Sequence, residues 1–230
     1  MNVIPQGVKD GFVRLTGPIT RALIRGNVHP NTISTLGALV VVGSAVAFGL
    51  GDVRWGGALL LLSGLLDILD GQVARQGDLS STFGAFYDST LDRIGESALF
   101  AGVAVHFLRG GVPARWLTAA VGVTIAALAA SLLVSYTRAR AEGLGLECKV
   151  GIAARAERIL LLGAPALLAG GSDWRLLPAI MAILALATTI TVVQRIVHVA
   201  RTAGGTRTER VSSPRRRDTL PGHTALRKGS

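Results

Sequence analysis

The chain has 230 residues, of which 50% are hydrophobic, with a mean hydropathy of +0.49 and a formal net charge of +10. So apolar a composition leaves too little polar surface to cover a soluble helical core. A single cysteine, Cys148, excludes an internal disulfide, and the four histidines (His29, His106, His198, His223) show no zinc spacing.

Residues 1–30 lack the clean apolar run of a removable signal and read as a juxtamembrane segment. Between Gly7 and Arg25, Phe12, Leu15, Ile19 and Leu23 alternate with Lys9, Arg14, Arg21 and Arg25. That pattern predicts an amphipathic helix lying at the membrane interface. Residues 31–200 hold six apolar segments, at 32–51, 55–75, 82–107, 115–138, 156–171 and 175–198. Each approaches the roughly 20 residues that one helical crossing of a bilayer needs. The expected fold is an all-α integral membrane protein with six transmembrane helices preceded by an N-terminal interfacial helix.

Residues 201–230 carry eight basic residues: Arg201, Arg207, Arg210, Arg215, Arg216, Arg217, Arg227 and Lys228. Gly, Ser, Thr and Pro surround them, which predicts a disordered tail. No aromatic residue is interleaved with these arginines, so no nucleic-acid partner is expected. Basic residues concentrate on one side of the six segments. The positive-inside rule therefore places both termini, and the tail, in the cytoplasm of a cell with the protein in its inner membrane. Attraction of the tail to anionic lipid is a further expectation.

The polar exception is "DILDGQVARQGDLSSTFGAFYDSTLD", Asp67 to Asp92, set between apolar runs. "QGDLSS" reads as a turn between two helices. At roughly 100° per residue, Asp67, Asp70, Gly71, Ala74 and Arg75 fall within about 140° of arc on the first helix. On the second helix Ser81, Gly84, Asp88, Asp92 and Glu96 share a face in the same way. Antiparallel packing brings the two acidic faces together. Such carboxylates repel one another and lose hydration, so they take up protons or are neutralised by cations. Hard divalent ions with oxygen ligands, Mg²⁺ or Mn²⁺, suit the set, and two metals can share four aspartates in phosphoryl chemistry. Gly71, Ala74 and Gly84 let a ligand approach the backbone, or let membrane helices pack closely. Arg75 either snorkels to the membrane edge or clamps a phosphate.

Read as a whole, the stretch is Asp67-x2-Asp70-Gly71-x2-Ala74-Arg75-x8-Gly84-x3-Asp88-x3-Asp92. Eight residues at fixed spacing match, without a gap, the signature of the CDP-alcohol phosphotransferases. The resemblance implies six membrane helices and two Mg²⁺ or Mn²⁺ ions held by Asp67, Asp70 and Asp88. Asp92 would share in metal binding and act as the catalytic base. The implied reaction transfers a phosphatidyl group from CDP-diacylglycerol to a small alcohol, releasing CMP. "HPNTIST" resembles the segment that family members place before the first transmembrane helix to contact the nucleotide. The CDP-lipid contacts implied are then His29, Pro30, Asn31, Thr32, Gly71, Ala74, Arg75, Ser81 and Gly84. A homodimer, common in the family, is a further expectation. Asp78 matches no signature position and reads as a solvated cap.

"SYTRARAEGLGLECKVGIAARAERI", with Arg195 in "VVQRIVHV", resembles actinobacterial members of the family that accept inositol phosphate. Arg138, Arg155, Arg158 and Arg195 would then bind the acceptor phosphate. Relatives often have Lys at the position of Arg138 and Pro at that of Ala156. Glycerol 3-phosphate is the alternative acceptor, because it too would want arginines. From a different class, a divalent-cation or proton-coupled transporter would also place carboxylates in the membrane. A fixed guanidinium, Arg75, inside the acidic face favours a diphosphate site instead, and no inverted repeat is visible. A non-catalytic scaffold has no use for the complete set of four aspartates.

Overall fold

A computed structural model describes the backbone from Gln6 to Ser212 and the side chains from Thr16 to Ala203. Among the described residues the chain is helix and turn, with no strand. Helix α1 spans Gln6–Arg25, α2 Pro30–Leu50, α3 Val53–Gln76 and α4 Thr82–His106. Short turns at Phe107–Gly111 and Ala114–Trp116 lead to α5, Leu117–Gly143. Then come α6, Arg155–Ala169, and α7, Leu176–Ser212.

Local chemistry sets several of these ends. His29 Nδ1 accepts a hydrogen bond from the Asn31 amide at 3.2 Å, and Pro30 occupies the first position of α2. Gly51, at φ 96°, closes α2 in the left-handed conformation that glycine adopts without a Cβ penalty. Ser81 Oγ accepts from the Gly84 amide at 2.9 Å and so caps α4.

Helix α2 packs against both α3 and α4, α3 against α6, and α5 against α7. The main core joins Phe48, Leu60, Val103, Phe107, Leu162 and Met181 across these helices. A smaller cluster of Ile33, Leu69 and Val73 receives Leu23, Ile24 and Val28. Thr16 and Thr20 of α1 are buried while Ile19 is exposed, so α1 turns a partly polar face to the body. Leu39, Val46, Ile125, Leu133, Leu186 and Val193 point outward, as suits lipid contact.

Helices α2–α7 occupy the six apolar segments. Four stretches are long and apolar enough to cross a membrane: Pro30–Leu50, Val53–Gln76, Ala114–Gly143 and Leu176–Ala203. The chain is therefore a multi-pass membrane protein, with four rather than six spans established by length and composition. Helix α4 falls short because Asp88, Asp92, Arg93 and Glu96 interrupt its apolar run. Helix α6 has 15 residues. At about 1.5 Å per residue that covers roughly 22 Å, less than the ~30 Å hydrocarbon core. Helix α7 also continues through Arg201 to Ser212, into the segment read as tail; 213–230 lie outside the described residues. Propagating an existing helix adds one hydrogen bond per residue fixed, so the boundary read from composition falls early. The interfacial apolar face read through Phe12 and Leu15 also lies outside the described side chains.

Glycine allows the closest helix approaches. A Cβ on Gly102 would lie 2.1 Å from the Ala45 carbonyl oxygen, across the α2–α4 contact. Gly102→Ala must push these backbones apart, at a cost of about 1–3 kcal/mol. Thermal unfolding in detergent is expected to begin several degrees lower than for the wild type; an unchanged transition would mean that this contact does not hold the helices together.

Candidate active site

Helices α3 and α4 are joined by an exposed turn in which Asp78 takes a left-handed φ of 53°, and both pack on α2 rather than broadly on each other. The hairpin brings Asp67, Asp70 and Asp88 together. One carboxylate oxygen from each lies within 4.8 Å of the others. Asp70 is buried, and the other two are half-buried. Helix α2 contributes Ser34, whose hydroxyl donates to Asp70 Oδ2 at 2.7 Å.

Asp92 lines the same recess as these three, but its nearest charged partner is Arg155 of α6. Arg155 also approaches Asp67, with its Nε 3.8 Å from Oδ1. The four aspartates expected to act together are thus gathered, three as a tight group and the fourth in an ion pair. Crowded carboxylates in a half-buried recess need a countercharge. The planar guanidinium at the start of α6 provides one. The cluster is made of hard oxygen donors without His or Cys, close enough for one cation to bridge. It fits Mg²⁺ or Mn²⁺.

An open groove runs from the cluster, lined by Asn31, Gly71, Ala74, Ser81, Gly84 and Asp88, with Pro30 and Ser34 at its edge. The Arg75 guanidinium folds over Gly71, where a Cβ would meet Nη1 at 3.1 Å. A Cβ on Gly84 would come within 3.0 Å of Ser81 Oγ and 3.2 Å of Asn31 Oδ1. The two glycines therefore keep the floor open beside three polar side chains. His29 and Thr32 are exposed and do not line the groove; the His29 ring is engaged in capping α2.

The four arginines expected to bind an acceptor phosphate differ in what they touch. Arg138 is exposed and pairs with Glu142 at 2.8 Å. Arg158 is buried, pairs with Glu96 at 2.8 Å and donates to the Ala153 carbonyl at 3.0 Å. Arg195 is buried and donates to the carbonyls of Val150, at 3.0 Å, and Val134. Of the four, Arg155 is the one paired with the clustered aspartates.

Several site neighbours were not evident from sequence. Ser34 falls one turn after Asn31, a spacing that could have revealed it. Arg93 bridges Asp92 and Glu96, at 3.6 Å and 3.4 Å. Gln72, at a variable position of the signature, donates to Thr16 Oγ1 and accepts from Thr20 Oγ1, both at 2.8 Å. These bonds tie α1 to α3 directly behind Gly71.

Known proteins resemble this chain along most of its length. A family profile described as CDP-alcohol phosphatidyltransferase matches residues 27–202. The phosphatidylinositol phosphate synthase of Cutibacterium acnes is 38% identical over 202 residues, covering 84% of this chain and 96% of that protein. The archaetidylinositol phosphate synthase of Methanothermobacter thermautotrophicus is 40% identical over 169 residues, covering 73% and 80%. Among solved structures, Mycobacterium tuberculosis phosphatidylinositol phosphate synthase with CDP-DAG bound matches with a TM-score of 0.70 and 32% identity, covering 81% of this chain and 94% of that chain. The same enzyme in complex with manganese and citrate also gives a TM-score of 0.70, covering 80% and 88%.

Asp70→Asn removes one charge from the cluster while keeping an acceptor for Ser34. Binding of Mn²⁺, followed by loss of the free-ion EPR signal, is expected to weaken by about tenfold or more, since charge-assisted contacts are roughly twice as strong as neutral ones. Unchanged binding would remove Asp70 from the ligand set.

Proposed function

The chain belongs to the CDP-alcohol phosphatidyltransferase family, and we propose that it moves the phosphatidyl group of CDP-diacylglycerol onto a hydroxyl of inositol phosphate. It is a transferase of phospholipid synthesis, dependent on divalent cations. The observation that carries the proposal is the joining of a three-aspartate cluster to a groove floored by glycine and flanked by Asn31, Arg75 and Ser81.

Asp67, Asp70 and Asp88, with Asp92 sharing, would hold two Mg²⁺ or Mn²⁺ ions. Bound there, the cations supply positive charge to the diphosphate and to the departing CMP. The protein's own groups supply the rest. Asn31, Arg75 and Ser81 orient the nucleotide and diphosphate, while Gly71 and Gly84 leave room for them. Asp92 takes the proton from the acceptor hydroxyl. The hydroxyl oxygen then bonds to the lipid-side phosphorus as the bond from that phosphorus to the CMP oxygen breaks. Arg155 starts on Asp92 and Asp67, within reach of an acceptor phosphate at the mouth of the recess. Exchanging Asp92 for that phosphate would seat the acceptor and free the base in one movement.

We read helices α2–α7 as six crossings with both termini cytoplasmic, supported by basic residues at the α1, α3–α4 and α5–α6 ends. A homodimer is supported by Gly122, Ala126 and Ala129, small residues exposed one turn apart on α5.

Purified protein with CDP-diacylglycerol and Mn²⁺ is offered inositol phosphate, glycerol 3-phosphate, inositol and serine in turn, and CMP release is measured. Inositol phosphate is expected to be the best acceptor. A preference for unphosphorylated inositol or serine would overturn the assignment. Asp92→Asn is expected to lower kcat at least ~100-fold while CDP-lipid binding persists. A variant retaining a tenth of the wild-type rate would exclude Asp92 as the base.

A further inference from the structure

The segment 144–154 between α5 and α6 has little regular structure of its own, yet it delivers Arg155 to the carboxylates. Helix α6 is preceded by Ala154, which offers no side-chain cap. The order of this segment must come from elsewhere, and its contacts lead to α7.

Thr191 of α7 is fully buried. Its Oγ1 accepts from two consecutive amides, Ile152 at 3.3 Å and Ala153 at 3.1 Å, and donates to the Ala187 carbonyl at 2.9 Å. A hydroxyl has one proton and two acceptor positions, and here all three are engaged. Gly151 lies against the same residue at φ 134°, and a Cβ there would come 2.4 Å from Thr191 Cγ2. One turn further along α7, Arg195 donates to the Val150 carbonyl. From α6, Arg158 donates back to the Ala153 carbonyl. The backbone from Val150 to Ala153 is thus gripped at consecutive residues, two positions before Arg155.

We infer that Thr191, which lies outside every sequence motif, is a positioning residue that holds Arg155 at Asp67 and Asp92 by fixing the backbone of Gly151–Ala153. It touches neither substrate nor metal. The consequence for the acceptor rests on the reading of Arg155 given above; the consequence for the carboxylates does not. Thr191→Val keeps the shape and takes the acceptor from the buried Ala153 amide and the part-buried Ile152 amide. Thr191→Ser keeps the hydroxyl.

The test uses the purified full chain and two readouts. The first is the KM for inositol phosphate against that for CDP-diacylglycerol. The second is Mn²⁺ binding by EPR, which needs no turnover. Thr191→Val is expected to raise the acceptor KM about tenfold, in keeping with an unmade buried hydrogen bond, while the CDP-lipid KM stays within about twofold. Mn²⁺ binding should tighten about three- to tenfold, as in Arg155→Ala, because a cation has left the carboxylates. Thr191→Ser should restore both values. Arg155→Ala combined with Thr191→Val should add nothing to Arg155→Ala alone, the mark of one residue acting through another. If Arg155→Ala shifts Mn²⁺ binding but not the acceptor KM, the acceptor reading fails, and Mn²⁺ binding still decides the role of Thr191. The inference is overturned if Thr191→Val matches the wild type in whichever readout Arg155→Ala moves, or if the two effects simply add. It is also overturned if Arg155→Ala moves neither readout, or if Thr191→Val lowers only thermal stability.

Discussion

Crowding carboxylates into the interior of an apolar helical bundle is the constraint on which the structure depends. Asp67, Asp70 and Asp88 stand within 4.8 Å of one another, and Asp92 lines the same recess. Like charges at that distance in a partly dehydrated site are mutually destabilising, and the penalty grows as water is excluded. The chain answers it with Arg155 against Asp92 and Asp67, the Ser34 hydroxyl on Asp70, and Arg93 beside Asp92. These partners offset part of the cluster's charge without filling it. Such a site is held ready for cations and a diphosphate rather than collapsed.

The rest of the fold supplies the frame. Helix α2 approaches α4 closely because Gly102 offers no side chain to the Ala45 carbonyl, and that approach brings Asn31 and Ser34 to the hairpin. On the other side α6 packs on α3 and brings Arg155 and Arg158. Buried Arg158 is paired with Glu96 one turn beyond Asp92. A buried ion pair of this kind adds little net stability, but breaking it is costly, which suits a device for fixing register. Behind the groove, Gln72 binds Thr16 and Thr20, so the same turn of α3 faces the site with Gly71 and anchors α1 with Gln72.

The hairpin was legible in the sequence because helical periodicity alone puts the acids on one arc of each helix. Its groove was legible because small residues fall on the same arcs. All six helices of the body lie where the apolar runs lie. The number of spans was less legible, since inward-facing charges on α4 and the shortness of α6 blur the hydropathy signal. The arginines were the hardest to place. Their partners depend on an irregular segment docked on α7, and no period encodes that docking. Thr191 and Gln72 carry no charge and repeat at no telling interval. Their roles emerge when distant helices meet.

Manganese anomalous diffraction from crystals soaked in Mn²⁺ tests the central claim most directly. The account predicts two manganese peaks bounded by the carboxylates of Asp67, Asp70 and Asp88, with Asp92 alongside. Manganese absent from these carboxylates, or bound elsewhere in the bundle, would contradict it.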